Sequence, residues 1–253
     1  MNTPRAIALC QCFNGRLEYV AGHWPEAEAA LRESIKLHRE LGAASGEALA
    51  WQQLGVLQSA RGQLEEAMVS LQEGVIAAER AVMRAHCLTR LYASMTRNRL
   101  TAGDIETAEH YLALGLEMGE RHGSCATCDS LLYPVAVSVC IAKDRLSEAE
   151  SFARQLEKSA LKYGSRTWVA MARQTRGELE AACGNVDSAL SCCTEAHQAF
   201  AEAGNDYEAA RCLSTIAALR QARNAPDDLE LARTAQAEAQ RVFEQLGAAL
   251  SSG

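Results

Sequence analysis

The stretch RHGSCATCDSLLYP, residues 121–134, holds the residue types best suited to chemistry in this chain. His122, Cys125 and Cys128 recur every third residue. Cys-x-x-Cys is a spacing used by zinc sites, where two thiolates share one ion, and by redox dithiols, where they close to a disulfide. On one helix Cys125 and Cys128 share a side, whereas His122 would sit well round the axis. A metal site therefore needs His122 in a loop and a further ligand, Cys87 or His86, from the start of a neighbouring helix. Elsewhere the chain has no glycine-rich phosphate loop, serine elbow, His-Glu-x-x-His motif or paired-carboxylate arrangement. No cysteine is set with a histidine and an acid in a way that specifies a nucleophile. The expectation is a protein that is not an enzyme and that carries no cofactor.

The elements that would position these residues follow from composition. Of 253 residues, 48% are apolar but only 5% aromatic, so the core must be built from small and aliphatic side chains. Ala, Leu, Glu and Arg dominate, all strong helix formers. There are four prolines, and no Val/Ile/Thr-rich run alternates with period two, which argues against strands. The fold class is all-α. The net charge of −7 is spread without a basic stripe, which argues against direct nucleic-acid contact. No apolar run is long enough to span a membrane. The opening MNTPRAIALCQC lacks a basic region and a cleavage site. Ten cysteines without an export signal point to free thiols in a reducing, cytoplasmic compartment.

Internal repetition sets the architecture. Alanines recur at Ala27, Ala67, Ala108, Ala149 and Ala189, with Ala232 a looser sixth, in steps of 40, 41, 41, 40 and 43 residues. In the same phase run Gly22, Gly62, Gly103, Asp144, Gly184 and Asn224, residue types that tolerate a left-handed backbone after a helix end. A second series, Gly42, Gly123, Gly164, Gly204 and Gly247, falls between them and skips one place, after the second repeat. The two series predict six helical hairpins, with turns inside the hairpins near residues 22, 62, 103, 144, 184 and 224.

Counting from Ala48 in ALAWQQLGVLQSARGQLEEAMVSLQEG, large residues fall fourth (Trp51) and seventh (Leu54), and small ones eighth (Gly55), twentieth (Ala67) and twenty-seventh (Gly74). This pattern resembles the tetratricopeptide repeat (TPR) across essentially the whole chain. The resemblance implies a right-handed α–α superhelix, a solenoid of about six TPR-like hairpins, as a single domain over residues 1–253. The repeat is longer than the family's usual length of about 34 residues. In that respect the chain is similar to the TPR-like domains of bacterial LuxR-type ATP-dependent transcriptional regulators and of peptide-pheromone receptors.

The cysteines can then be placed. Two residues before each repeat's first position stand Gly46, Cys87, Cys128 and Trp168, with Cys212 in the shifted sixth repeat. Cys128 is one rung of a ladder of mostly small residues where successive first helices meet, and free cysteine packs as a small hydrophobe. Packing is therefore the favoured reading of the Cys-x-x-Cys. A metal site of His122, Cys125, Cys128 and Cys87, or a redox sensor built on Cys125 and Cys128, stands as the alternative.

The resemblance also implies a ligand surface, because the first helix of each TPR hairpin lines the concave groove. The residues so placed include Arg16, Tyr19, Gln52, Arg90, Arg97, Gln174 and Glu178, with Trp168 and Pro134 expected to shape a pocket nearby. Arginine grips carboxylates through two parallel bonds, so a protein or peptide ligand, or a small anionic effector, is expected. The expected function is an effector- or peptide-sensing module of a bacterial transcriptional regulator; the alternative is a protein–protein scaffold without an effector. The terminal helices carry Ile7, Leu9, Phe13 and Leu17 at one end and Leu229, Leu231, Val242 and Phe243 at the other. A solenoid normally closes with polar caps, so part of a longer protein, or a homodimer through uncapped ends, is expected.

Overall fold

The computed structural model describes residues 3–123 and 125–249. Among these it contains twelve α-helices and no strand. They pair as α1 (Pro4–Val20) with α2 (Trp24–Glu40), α3 (Ala44–Ala60) with α4 (Leu64–Glu79), and α5 (Arg84–Thr101) with α6 (Ile105–His122). Three further hairpins follow: α7 (Ala126–Ala142) with α8 (Leu146–Tyr163), α9 (Arg166–Ala182) with α10 (Val186–Glu202), and α11 (Asp206–Arg223) with α12 (Asp228–Leu246). The chain forms two compact units, Met1–Val135 and Ala136–Gly253, whose boundary falls inside α7 between Val135 and Ala136.

Both punctuation series do what their residue types require. Every member of the first lies at positive φ, from 51° at Asn224 to 84° at Gly22, and so does every member of the second. A single left-handed residue stops the helical ladder and reverses the chain within three or four residues. The skipped place, after α4, is closed differently: no residue between Arg80 and Met83 has positive φ, and the chain re-enters a helix at Arg84. Starts are marked too. Pro4 and Pro25 occupy first-turn positions where no amide donor is needed. Asp104, Ser165 and Asn205 accept hydrogen bonds from the amides of Thr107, Trp168 and Glu208.

The repeated alanines lie in the core of each hairpin. Ala27, Ala67, Ala108, Ala149, Ala189 and Ala232 are all fully buried. Glycines on the facing helix let the backbones approach: a methyl group on Gly15 would lie 3.1 Å from the carbonyl of Ala27, one on Gly55 3.3 Å from that of Ala67, and one on Gly177 3.3 Å from that of Ala189. Aliphatic and aromatic side chains fill the remainder, with Leu31, Leu54, Leu71, Leu88 and Leu91 buried in the first unit and Leu156, Leu179, Phe200 and Phe243 in the second. Each such side chain contributes about 1.5–3 kcal/mol of burial. Because little aromatic volume is available, close helix approach has to supply the packing.

Polar side chains tie helices together both within and between hairpins. Ser34 on α2 donates to the carbonyl of Ala8 at 2.8 Å. Fully buried Asn98 on α5 donates to the hydroxyl of Ser59 at 2.9 Å and to the carbonyl of Leu64 at 3.0 Å. Glu47, buried on α3, receives Arg39 at 2.8 Å and Arg80 at 3.4 Å. In the second unit Arg176 on α9 joins Glu150 at 2.5 Å and Glu157 at 2.8 Å on α8.

Candidate functional site

The polar row on the first helices of the hairpins divides between the two units. In the first unit, Arg16 is half-buried and its guanidinium lies over the Tyr19 ring, 5.2 Å from its centroid. Tyr19 is itself buried and stacks on Trp24 at 5.7 Å. Gln52, buried on α3, donates to the Ser94 hydroxyl of α5 at 2.7 Å. Arg90 donates from Nη1 to the carbonyl of Thr127 at 3.3 Å, while its Nε is buried without a partner. Arg97 is half-buried on the same helix. In the second unit, Gln174 is buried, and Glu178 accepts a hydrogen bond from Ser138 at 3.1 Å. Trp168 is half-buried with its ring edge-on to Tyr163 at 5.6 Å.

Several residues expected to face a ligand therefore also join helices. Gln52, Glu178 and Arg90 each bond to the first helix of an adjacent hairpin, a use that sequence spacing cannot separate from ligand contact because both need the same helix face. Arg16 and Arg97 remain partly open to solvent. A separate depression of about 320 Å³ lies in the first two hairpins, lined by Arg32, Ile35, Lys36, Arg39, Glu40 and Trp51.

The cysteine ladder takes shape in the first unit. The Cys87 thiol donates to the carbonyl of Ser45 at 3.8 Å, and the Cys128 thiol to the carbonyl of His86 at 3.7 Å. In both rungs the thiol meets the residue just before the previous rung. Cys87, Cys128 and Cys212 are all buried, as the packing reading requires, and burial pushes the Cys128 thiol up to about 12 and raises that of Cys212 as well. The Gly46 rung is closed by the imidazole of His38, packed against its α-carbon.

Around Cys128 the structure adds something the ladder does not contain. His86 Nδ1 lies 3.2 Å from Cys128 Sγ and 3.6 Å from Cys125 Sγ, and the three atoms all fall within 4.8 Å of one another. The histidine is His86, on the third residue of α5, and not His122, which is exposed at the end of α6. Cys87 is turned to Ser45 instead. From the sequence alone, His86 stands only as a supplementary ligand. The usable signal was the repeat length itself, since His86 precedes Cys128 by 42 residues, one repeat and one position. Cys125 sits at the start of α7, with the amides of Cys128 and Asp129 both donating to its carbonyl at 2.8 Å. Burial opposes ionisation of Cys125, but the Thr127 hydroxyl, 3.2 Å from its sulfur, and the amides of the first helical turn outweigh it and hold the thiol below the ordinary range. Burial and then the charge of Arg90 hold His86 below the usual imidazole range.

At the chain ends, the first helix exposes Ile7, Leu9, Phe13 and Leu17, as expected of an uncapped face. The last helix exposes Leu229 and Leu231, but Phe243 is buried against Tyr207, with ring centroids 5.9 Å apart, so that residue closes the core of its own hairpin. No helix among the described residues is long and apolar enough to cross a membrane.

Comparison with known proteins agrees with this architecture. The family model described as the MalT-like TPR region matches residues 5–252. No curated protein matches the chain by sequence. Among solved structures, a Rap protein complexed with Competence and Sporulation Factor superposes with a TM-score of 0.73 at 13% identity, covering 97% of this chain and 67% of that one. BtubC from P. vanneervenii gives 0.56 at 16% identity, covering 89% and 93%. The Cut9 and Hcn1 hetero-tetramer of APC/C gives 0.57 at 14% identity, covering 88% and 39%. At these identities the likeness is one of fold, and it is to TPR-type helical hairpins. With the repeat phase, the left-handed turns and the buried alanines in place, the chain belongs to the family of MalT-like TPR regions.

Proposed function

We propose that this chain is the non-enzymatic, effector- or peptide-sensing TPR region of a bacterial transcriptional regulator acting in the cytoplasm. The observation that carries the reading is the family match over residues 5–252. TPR-type arrays are binding surfaces, in which the first helix of each hairpin offers side chains to an extended partner. Arg16 and Arg97, half-buried on the first helices of two hairpins of one unit, suit the carboxylates of a peptide or a small anionic ligand. The Rap protein with the same fold was solved with a bound factor, which supports a ligand of that kind here. The exposed Leu9, Phe13 and Leu17 of α1 suit a second copy or a neighbouring segment of a longer regulator.

The test is a binding screen of synthetic acidic peptides and anionic metabolites, read by calorimetry, against wild type and an Arg16→Ala/Arg97→Ala variant. A ligand recognised through these guanidiniums should bind the variant at least about tenfold more weakly, since a charged hydrogen bond contributes about 1.5–3 kcal/mol. A ligand whose affinity is untouched by both changes would remove the arginine surface from the reading. A partner protein captured with no small ligand at all would favour the plain scaffold.

A further inference from the structure

The thiol–imidazole cluster at the start of α7 plays no part in effector binding as proposed above, and repeat packing accounts for only one of its members. The ladder explains Cys128. It does not call for Cys125, whose counterparts one repeat away are Arg84 and Ser165, nor for His86, whose counterpart in the preceding hairpin is Ser45. Three metal-ligating atoms, one from α5 and two from the start of α7, nevertheless lie within 4.8 Å of one another.

We infer that His86, Cys125 and Cys128 form a three-ligand site for a zinc-class divalent metal ion, with a fourth position open to a ligand from solution. The separations carry this. Zinc binds thiolate sulfur at about 2.3 Å and imidazole nitrogen at about 2.0–2.1 Å. Tetrahedral placement then puts sulfur and nitrogen about 3.6 Å apart and the two sulfurs about 3.8 Å apart. The nitrogen–sulfur distances of 3.2 and 3.6 Å are already close to this value without an ion to draw the ligands together.

The surroundings fit the same assignment. Both amides that donate to the Cys125 carbonyl at 2.8 Å fix the Cys-x-x-Cys turn, so the two sulfurs are held at the spacing one helical turn imposes. Thr127, between the cysteines, places its hydroxyl 3.2 Å from Cys125 Sγ, where it donates to a thiolate as an outer-shell partner. Its carbonyl is held by Arg90, whose charge lies beside the thiolates. Cys128 is buried while Cys125 and His86 are partly open, which gives the site a closed floor and an accessible mouth. Binding releases the two thiol protons to solvent, and two thiolates with one divalent ion and a neutral imidazole sum to zero charge. With three protein ligands the site resembles open zinc sites rather than closed structural ones.

The experiment uses the full chain, reduced and metal-free, titrated with Zn2+ in competition with a chromophoric chelator. Co2+ is titrated in parallel for its thiolate charge-transfer absorption. One equivalent of Zn2+ per chain is expected, with cobalt–thiolate absorption. His86→Ala and Cys125→Ser should each weaken zinc by about a hundredfold or more, since loss of even an outer-shell partner costs about 10–100-fold. His122→Ala and Cys183→Ser should leave it unchanged. Neither Cys125 nor His86 is a ladder rung, so both variants should keep the helical circular dichroism of wild type. Zinc that fails to compete with the chelator, or that His86→Ala binds as well as wild type does, would overturn the inference. So would a reduced protein indifferent to zinc whose oxidised form carries a Cys125–Cys128 disulfide in peptide mass spectra, which would assign the pair to redox chemistry. The Arg16→Ala/Arg97→Ala variant should keep full zinc stoichiometry, so failure of the effector reading and failure of this one are separately visible.

Discussion

Replacing Gly55 and Gly119 by alanine is the same chemical change in two helix interiors of one unit, and the structure assigns the two opposite signs. A methyl group on Gly55 would stand 2.6 Å from Leu71 Cγ and 2.7 Å from its Cδ2. Carbon atoms in contact normally lie about 3.5–4.0 Å apart, so the overlap is about 1 Å. Leu71 is fully buried and cannot swing out to solvent. Overpacking of this kind costs about 1–3 kcal/mol, and the better helix propensity of alanine returns about 1, leaving a net loss of about 1 kcal/mol. A methyl group on Gly119 meets nothing within 4 Å, so Gly119→Ala should gain about 0.5–1 kcal/mol. Urea unfolding followed by circular dichroism should separate the two variants by about 1.5–2 kcal/mol at equal m-value. A double-mutant cycle closes the argument: in a Leu71→Ala background the blocking atoms are gone, and Gly55→Ala should become neutral or stabilising. If Gly55→Ala stabilises the wild-type protein as much as Gly119→Ala does, close glycine approach is not what sets the hairpin spacing.

Three further outcomes are expected. Asn98→Leu should cost about 1–3 kcal/mol, because Ser59 and Arg99 lose partners inside the α3–α5 contact; unfolding midpoints unchanged from wild type would show that the tie contributes nothing. Gly103→Ala, at φ +77°, should cost about 1–2 kcal/mol despite open space around it, a purely backbone effect that thermal melts can read. His38 is buried with both ring nitrogens unpartnered, and burial lowers its pKa against the opposing pull of Glu47. The unfolded chain therefore binds this proton more readily, so stability should fall as pH drops through about 6.5 and hold steady above it. The difference in unfolding free energy between wild type and His38→Leu should show that slope, and a pH-independent difference would refute the assignment.

The sequence by itself determined the hairpins. Helix-forming composition, a forty-residue beat of alanines and two interleaved series of glycine, aspartate and asparagine are local signals. Each acts within a few residues, through backbone conformation or the size of a side chain, so the six turns and the buried alanines could be read directly. Skipping the glycine after α4 was also legible, although the way Arg80 and the following turn close that helix was not. What only the tertiary structure decided is which polar residues end up side by side. Gln52 and Glu178 were placed correctly on the first helices of their hairpins, but whether such a residue meets a ligand or the next helix depends on rotamers and on the partner, here Ser94 and Ser138. Phe243 reads as part of an open end until Tyr207 is found against it. The cluster at the start of α7 shows the limit most plainly. Proximity along the chain offered His122 to Cys125 and Cys128, whereas packing brought His86 across from α5, because contacts one repeat apart are fixed by how helices stack and not by their order in the chain.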